Sequence, residues 1–416
     1  MKRSSVQATE TDAFASLSRS DRQNKMLFEE VFMDHKLLFD KIDDLYPEYV
    51  KIWENVSNIE SPTDCKEGVD KVGRYFASLA ESHGWKVEIF RQEVAGDVVC
   101  ITMNSGLKND PVCLSGHIDT VHPIGLFGDP AVRIEDGKIY GPGVLDCKGG
   151  VVASFLAMDA LDKCGFKDRP IMLLIQSDEE KGSSISNKAT INYICEKAKN
   201  AVAFLNTEPA SPGVAILQRK GIIRYKLTVH GFSGHSSVCY ENSASAVLEA
   251  AHKKIELEKM KDAKGLTCNC GVISGGTVAN TVPDLCVFQA DIRFANREEL
   301  EAAKANVMRV AKNSTVEGCT CEVEEMSFRP AMDKSDKNYK LLDKINEINR
   351  SVGLCERVAK ASNGGSDAAY ATVHGIPCVD NLGTEGGRIH SPQEFSTLES
   401  LASAAKELAA ISCYIK

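Results

Sequence analysis

The sequence of 416 residues lacks a long hydrophobic run, an excess of basic residues and cysteine pairs at zinc-finger spacing. No apolar stretch approaches the roughly 20 residues that a membrane-spanning helix requires, and the basic start (Lys2, Arg3) is followed by polar residues instead of a signal sequence. The 58 acidic residues outnumber the 49 basic ones, and the resulting net charge of −9 disfavours nucleic acid as a partner. These absences predict a cytoplasmic protein that binds neither membranes nor nucleic acid.

Fifteen cysteines are scattered along the chain, many of them in apolar segments that are typical of strands. An odd number without regular spacing favours free thiols in a reducing compartment over a disulfide framework. Two pairs, Cys268/Cys270 and Cys319/Cys321, are separated by one residue, which places both members on one face of a strand. We interpret these pairs as packing residues.

The length and the 43% hydrophobic content predict a protein of two domains with an ample core. Residues 1–22 carry no periodic apolar pattern and are predicted to form a mobile tail. Helical periodicity follows over residues 23–58, with a break expected at Pro47, and strands then alternate with helices. This alternation predicts an α/β domain, residues 23–221 and 329–416, whose partly parallel sheet is covered by helices on both faces.

Between residues 222 and 328 the predicted order of elements changes to β-α-β-β-α-β, which is typical of a ferredoxin-like α+β unit. The antiparallel sheet of such a unit can leave one face or edge uncovered. We therefore predict that residues 222–328 form an inserted lid or dimerisation domain, and that the protein is a homodimer through it.

Histidine and acidic residues recur at one kind of position, namely where a predicted strand ends or a turn precedes a helix. Because open α/β sheets place their ligands at the carboxyl ends of the strands, these side chains can converge in one crevice. Imidazole and carboxylate ligands suit zinc or a related divalent ion, and so many carboxylates would repel one another unless two ions neutralised them. The residues are His117, Asp119, Asp146, Asp178, Glu179, Glu180 and Glu208.

Each of these features has an ordinary structural explanation when it is taken singly. A His-x-Asp pair at a strand end is often a surface pair, and two glutamates after a strand often begin a helix or form a solvated turn. Their joint occurrence at equivalent points of the fold favours a metal site. Cys147, which follows Asp146, is an alternative nucleophile, although no local cysteine signature accompanies it.

From about residue 60 to the C-terminus the chain carries, in order, GHIDTV, GPGVLDCKGG, DEEKGS, NTEPA, GFSGHSS, ANTVPD, DIRF, GGSDAAY and IHSPQEF. This series resembles the co-catalytic zinc metallopeptidase family of aminoacylases, acetylornithine deacetylase, succinyl-diaminopimelate desuccinylase and glutamate carboxypeptidase. The spacing is most similar to the glutamate carboxypeptidase branch.

The resemblance implies two Zn²⁺ ions per chain, with Co²⁺ or Mn²⁺ as substitutes. One ion would be held by His117 and Glu208 and the other by Glu180 and His390, with Asp146 bridging both. The predicted metal site thus contains two histidines and three carboxylates.

The resemblance also implies three catalytic roles. Asp119 would orient the ring of His117, since such a partner fixes the tautomer of a metal-binding histidine. Glu179 would act as the general base that takes a proton from a water activated by the two ions. His235 in GFSGHSS would donate a hydrogen bond to the oxyanion, and in this family the corresponding residue reaches across from the partner subunit.

Four residues are predicted, by resemblance, to bind the carboxylate of the substrate. A guanidinium can grip a carboxylate bidentately, which suits Arg329 and Arg293, although a structural ion pair explains Arg293 equally well. Asn280 is a further candidate, and the turn at Gly365 can offer backbone N–H groups.

The expected activity is hydrolysis of an amide bond next to a C-terminal amino acid of a small peptide or an N-acyl amino acid, with glutamate-like residues among the candidates. An N-acyl-amino-acid deacylase or a desuccinylase is the alternative within the same family. A catalytically inactive metal-binding scaffold and a cysteine hydrolase that uses Cys147 are alternatives of a different class.

Overall fold

The computed structural model describes residues 33–239, 242–262 and 265–416. The predicted tail (1–22) and the first part of the predicted helix 23–58 lie outside the described residues. None of the helices in the described ranges is long and apolar enough to cross a membrane. All fifteen cysteines lie in these ranges as free thiols, as predicted.

The helices, in chain order, are α1 (His35–Ser57), α2 (Lys66–Ser82), α3 (Lys148–Lys163), α4 (Ala189–Ala198), α5 (Ala246–Glu258), α6 (Arg297–Lys312), α7 (Asp336–Ser351), α8 (Ala368–Val373) and α9 (Leu398–Tyr414). The strands are β1 (Lys86–Phe90), β2 (Val98–Met103), β3 (Val112–His117), β4 (Arg133–Glu135), β5 (Lys138–Tyr140), β6 (Ile171–Gln176), β7 (Ala203–Asn206), β8 (Val214–Arg219), β9 (Gly221–His230), β10 (Thr267–Gly275), β11 (Leu285–Phe294), β12 (Thr320–Arg329), β13 (Val358–Ser362), β14 (Cys378–Val379), β15 (Gly386–Gly387) and β16 (Phe395–Thr397).

The principal sheet has the strand order β1-β2-β6-β3-β7-β14. Strands β6, β3, β7 and β14 are parallel, whereas β2 pairs antiparallel with β6 and with β1. Successive residues of β2 point to opposite faces: Val99 and Ile101 pack among α1, α2, α3 and α9, while Val98 and Cys100 pack among α4 and α8. The sheet is therefore covered by helices on both faces, and the predicted α/β class is confirmed.

A separate antiparallel sheet has the order β10-β11-β9-β12. Its elements follow one another as β9-α5-β10-β11-α6-β12, which is the predicted β-α-β-β-α-β order. Alternate residues of β9, such as Ile223, Tyr225 and Leu227, are buried in a second hydrophobic core beneath α5 and α6. The inserted-domain boundaries at residues 222 and 328 and the homodimer stay predictions.

Two features differ from expectation. Helix α1 continues through Pro47, so the predicted break was wrong. Proline removes one helical hydrogen bond, but buried residues on both sides of it, including Ile42 and Trp53, hold the helix against the core. The sequence also did not predict the short strands β4, β5, β15 and β16, which form a sheet of their own, or the parallel pair β8 and β13.

Candidate metal centre

His117 is the last residue of β3, and its buried ring points at two carboxylates. Its Nε2 atom lies 3.1 Å from Oδ1 of Asp146 and 3.8 Å from Oε1 of Glu208. Glu208 follows β7, the neighbouring parallel strand, so the two donors come from adjacent carboxyl ends of the sheet.

Asp119, two residues beyond β3, is fully buried and organises the neighbouring loop. Its carboxylate accepts hydrogen bonds from the hydroxyl of Thr63 at 2.9 Å and from the backbone N–H groups of Glu179 and Glu180, each at 3.1 Å. Its backbone oxygen lies 3.0 Å from Nδ1 of His117. Asp119 therefore fixes both the imidazole and the loop that carries the two glutamates.

His390 approaches the same carboxylates from a different segment of the chain. Its Nε2 atom lies 3.3 Å from Oε2 of Glu180 and 3.4 Å from Oδ2 of Asp146. Asp146 thus stands between two histidines, with one oxygen facing His117 and the other facing His390. This is the arrangement that a bridging ligand between two ions requires.

The charges in this cluster are poorly balanced without cations. Burial and the nearby charges of Asp146 and Glu179 raise the pKa of Glu180 to about 7, and burial together with Asp146 raises the pKa of Glu208 well above its usual value. Contacts with Asp146 and Glu180 raise the pKa of His390 to about 10. Despite burial, hydrogen bonds with His117 and His390 lower the pKa of Asp146, so this carboxylate stays ionised between two imidazoles. Two imidazoles and three carboxylates that face inward fit a pair of divalent cations.

Cys147 also lies close to this cluster. Among the described residues, the donor atoms of His117, Cys147 and Glu208 lie within 4.8 Å of one another, as do those of His117, Asp146 and Glu180. However, the Cys147 thiol is fully buried and donates to the backbone oxygen of Thr207 at 3.2 Å, and burial raises its pKa well above the usual range. A buried neutral thiol is a poor nucleophile, which argues against the cysteine-hydrolase alternative.

Glycine in the KGG turn lets α3 pack closely behind the cluster. A Cβ atom at Gly150 would lie only 2.0 Å from the backbone oxygen of Thr207, one residue before Glu208. A side chain here would push the helix away from β7 and separate Asp146 from Glu208.

The carboxylates of the cluster open into a cavity of about 920 Å³. Arg329, the last residue of β12, also lines this cavity, and its guanidinium contacts both a side-chain oxygen and the backbone oxygen of Glu179. Gly365 lines it as well, and a Cβ atom there would lie 2.8 Å from Cδ of Arg329. The predicted general base, the predicted clamp and the predicted glycine turn are therefore neighbours.

Arg293 lies on the cavity wall and forms an ion pair on its own strand. Its Nε atom lies 2.7 Å from Oδ1 of Asp291, and Nε of Arg224 lies 2.7 Å from Oδ2 of the same carboxylate. Two guanidiniums share one carboxylate, so this part of the wall keeps a net positive charge.

Four predicted site residues do not line this cavity: His117 and Asp119, which lie buried beside the carboxylates, and His235 and Asn280. The last two also lie outside the cluster. Both are exposed and adjacent to each other, since the backbone N–H of Ser236 donates to the backbone oxygen of Asn280 at 3.1 Å. Nδ1 of His235 lies 2.8 Å from the hydroxyl of Ser237. Their predicted contribution from a partner subunit stays a prediction.

Asp367 is a neighbour of Arg329 and Glu179 that the sequence did not single out. It is buried, accepts from the side-chain amide of Gln176 at 2.9 Å, and keeps one oxygen without a hydrogen-bond partner in the described part of the chain. Burial and the charge of Glu179 raise its pKa to about 7. The sequence feature that could have identified Asp367 is its position in a GGSD turn directly before α8.

We expect Asp367→Asn to stabilise the metal-free protein relative to wild type, and increasingly so as the pH rises. Between about pH 4 and 7 the unfolded chain releases the Asp367 proton while the folded chain retains it, so stability falls with rising pH. Asparagine does not ionise, so it removes this pH-dependent loss of stability, and it can still accept the hydrogen bond from Gln176. Urea unfolding at pH 5 and pH 8 measures the effect, and an equal difference between variant and wild type at both pH values would contradict it.

Comparison with known proteins identifies the family. The model of the family described as "Peptidase family M20/M25/M40" matches residues 113–412, which is well over half of the chain. Carboxypeptidase G2 of Pseudomonas sp. is 30% identical over 362 residues, which cover 85% of this chain and 86% of that protein. Succinyl-diaminopimelate desuccinylase of Rickettsia felis is 26% identical over 375 residues, which cover 85% of this chain and 96% of that protein.

Solved structures agree in fold. The aminopeptidase PepT of Bacillus cereus superposes with a TM-score of 0.72 at 23% identity, over 89% of this chain and 99% of that one. An M20 family metallo-carboxypeptidase of Sulfolobus solfataricus superposes with a TM-score of 0.69 at 17% identity, over 88% and 98%. The resemblance stated from the motifs is confirmed: the chain belongs to peptidase family M20/M25/M40 and is a hydrolase that acts on carbon–nitrogen bonds.

Proposed function

We propose that this protein is a dinuclear zinc carboxypeptidase that removes a C-terminal amino acid from small peptides or N-acyl amino acids. The observation that carries the proposal is the position of Asp146 between His117 and His390, with Glu179 beside them and in contact with Arg329. This geometry offers a bridging ligand, a base that contacts neither histidine and a cation for the substrate beside one cavity.

In this proposal His117 and Glu208 would hold one ion, Glu180 and His390 would hold the other, and Asp146 would contribute to both. When bound, the two ions would supply positive charge that lowers the pKa of a water and polarises the amide carbonyl. Co²⁺ or Mn²⁺ can replace zinc in such a set of ligands.

Glu179 is the proposed general base. Asp119 fixes its backbone N–H at 3.1 Å, and its side-chain oxygen contacts Arg329, whereas the side chain of Glu180 contacts His390. The carboxylate of Glu179 takes a proton from the attacking water and later transfers that proton to the departing amine nitrogen. His235 of a partner subunit would donate a hydrogen bond to the oxyanion, which makes the homodimer through residues 222–328 part of the proposal.

Arg329 is the proposed clamp for the C-terminal carboxylate of the substrate. Its guanidinium is buried, so the attraction to a second carboxylate is weakly screened. The absence of a side chain at Gly365 lets this turn lie directly against Arg329. Arg293 and Asn280 complete the proposed set of substrate contacts. The proposed substrate therefore carries a carboxylate next to the scissile amide.

An N-acyl-amino-acid deacylase or desuccinylase is the second candidate, since a desuccinylase is among the relatives. Steady-state rates on dipeptides, N-acyl amino acids and succinylated diamines distinguish the candidates. We expect cleavage where an α-carboxylate adjoins the amide. Cleavage restricted to acyl compounds without that carboxylate would reject the carboxypeptidase.

Replacement of Arg329 by methionine tests the clamp. We expect kcat/KM to fall by a factor of about 30 to several thousand, since truncating one partner of a buried charge pair costs about 2–5 kcal/mol. The loss should be smaller for a substrate analogue whose carboxylate is replaced by a carboxamide, because only the part that comes from removing the partner of Glu179 then remains. Arg357→Met is the matched control, because Arg357 is also buried and paired, with Glu407, but does not line the cavity. Equal losses with both substrates would contradict the role.

A further inference from the structure

Glu394 is a fully buried carboxylate that lies behind the metal centre and makes no contact with the cavity. Its Oε1 atom accepts hydrogen bonds from the backbone N–H of Leu145 at 2.9 Å and of Asp146 at 3.1 Å. Its backbone oxygen accepts from the N–H of Gly141 at 3.3 Å. One residue thus binds the turn 141–146 at both of its ends.

The other oxygen of Glu394 is held in turn by a histidine. Nε2 of His122 lies 2.7 Å from Oε2, and the ring of Phe127 packs edge-on against the His122 ring at 5.0 Å. His122 is itself buried. Two amides and one imidazole therefore satisfy the buried carboxylate, and the ring contact restrains the histidine.

Asp146 is the residue whose orientation matters most in the proposed site, because its two oxygens face two different histidines. Apart from these two imidazoles, no partner is found for the side chain of Asp146 in the described part of the chain, and the backbone N–H of Asp146 is held by Glu394. Glu394 lies four residues after His390 in the sequence. One short segment therefore contains both the proposed ligand His390 and the residue that holds the backbone of Asp146.

We propose that Glu394, oriented by His122, is a positioning residue that sets the bridging carboxylate of Asp146 for two divalent cations. The proposal rests on the proposed dinuclear function. Partners of this kind, which orient a ligand without touching the ion, typically contribute 10–100-fold to metal affinity.

The test measures zinc affinity and stoichiometry of the metal-free full chain by competition with a chromogenic chelator, and unfolding by urea in the same samples. Glu394→Met keeps the size of the side chain but removes the acceptor, and we expect zinc affinity to fall by about 10–100-fold. Glu394→Gln keeps an oxygen for the two amides and should restore most of the affinity. Glu407→Met removes another buried carboxylate, paired with Arg357, and should lower stability without changing zinc affinity.

Unchanged zinc affinity in Glu394→Met, or an equal loss in Glu407→Met, overturns the proposal. If Glu394→Met does not fold, His122→Phe decides, because it removes one of the three partners: a loss of about tenfold supports the proposal and no loss overturns it. Zinc binding by the wild type distinguishes failure of the proposed function from failure of the role assigned to Glu394. A wild type that binds no zinc rejects the proposed function together with this inference, whereas two zinc ions bound with equal affinity by wild type and Glu394→Met reject this inference alone.

Discussion

Replacement of Glu179 by glutamine is expected to lower kcat by two to four orders of magnitude while both metal ions remain bound. We expect a fall of this size because a positioned general base typically accelerates a reaction by about two to four orders of magnitude. Glutamine keeps the shape and can still accept from Arg329, but it cannot take up the proton of the attacking water. Glu180, the next residue in the sequence, provides a close comparison, because it contacts His390 whereas Glu179 contacts Arg329.

The measurement combines turnover on an N-acyl amino acid with metal content after dialysis. Glu180→Gln is the matched control: it should release one of the two ions, whereas Glu179→Gln should release none. Undiminished turnover in Glu179→Gln would remove this residue as the base. Loss of metal together with activity would make Glu179 a ligand instead.

Replacement of Asp146 by alanine should have the most complete effect of any single change. Its two oxygens lie 3.1 Å from His117 and 3.4 Å from His390, so both ions would lose a ligand at once. We expect zinc content to fall from two ions per chain to fewer than one and turnover to become undetectable, with little return at raised zinc concentration.

Asp159→Asn is the control for Asp146→Ala. Asp159 is likewise a buried carboxylate and lies on α3, which begins two residues after Asp146, but it contacts Tyr49 at 3.0 Å and not the metal centre. The control variant should lose stability and keep both ions. An Asp146→Ala protein that retains two ions and measurable turnover would show that Asp146 does not bridge them.

Much of the fold followed from local patterns. Strands β2, β3 and β6 are largely apolar and fully buried, and such strands predict a sheet that is buried on both faces. The alternation of buried and more accessible residues along β9 and β11 has the period of a half-buried strand. Strands of two or three residues, such as β15 and β16, have no period that a sequence pattern can display.

The convergence of the proposed metal ligands was predictable for a related reason. His117 ends β3 and Glu208 lies two residues after β7, and the carboxyl ends of parallel strands meet at one edge of the sheet. The resemblance then added His390, which lies in a loop far from any long strand.

The sequence by itself thus determined the classes of the elements, their order and the kinds of ligand that end the strands, because periodicity and turn residues act over a few neighbours. Only the tertiary structure decided which distant groups meet. It brings Arg329 to Glu179 across 150 residues and Glu394 to the turn of Asp146 across 248, and it leaves His235 and Asn280 outside the cavity of their own chain. The reason is physical: these contacts depend on how helices and sheets pack, and no local pattern records the distance between two side chains that only packing brings together.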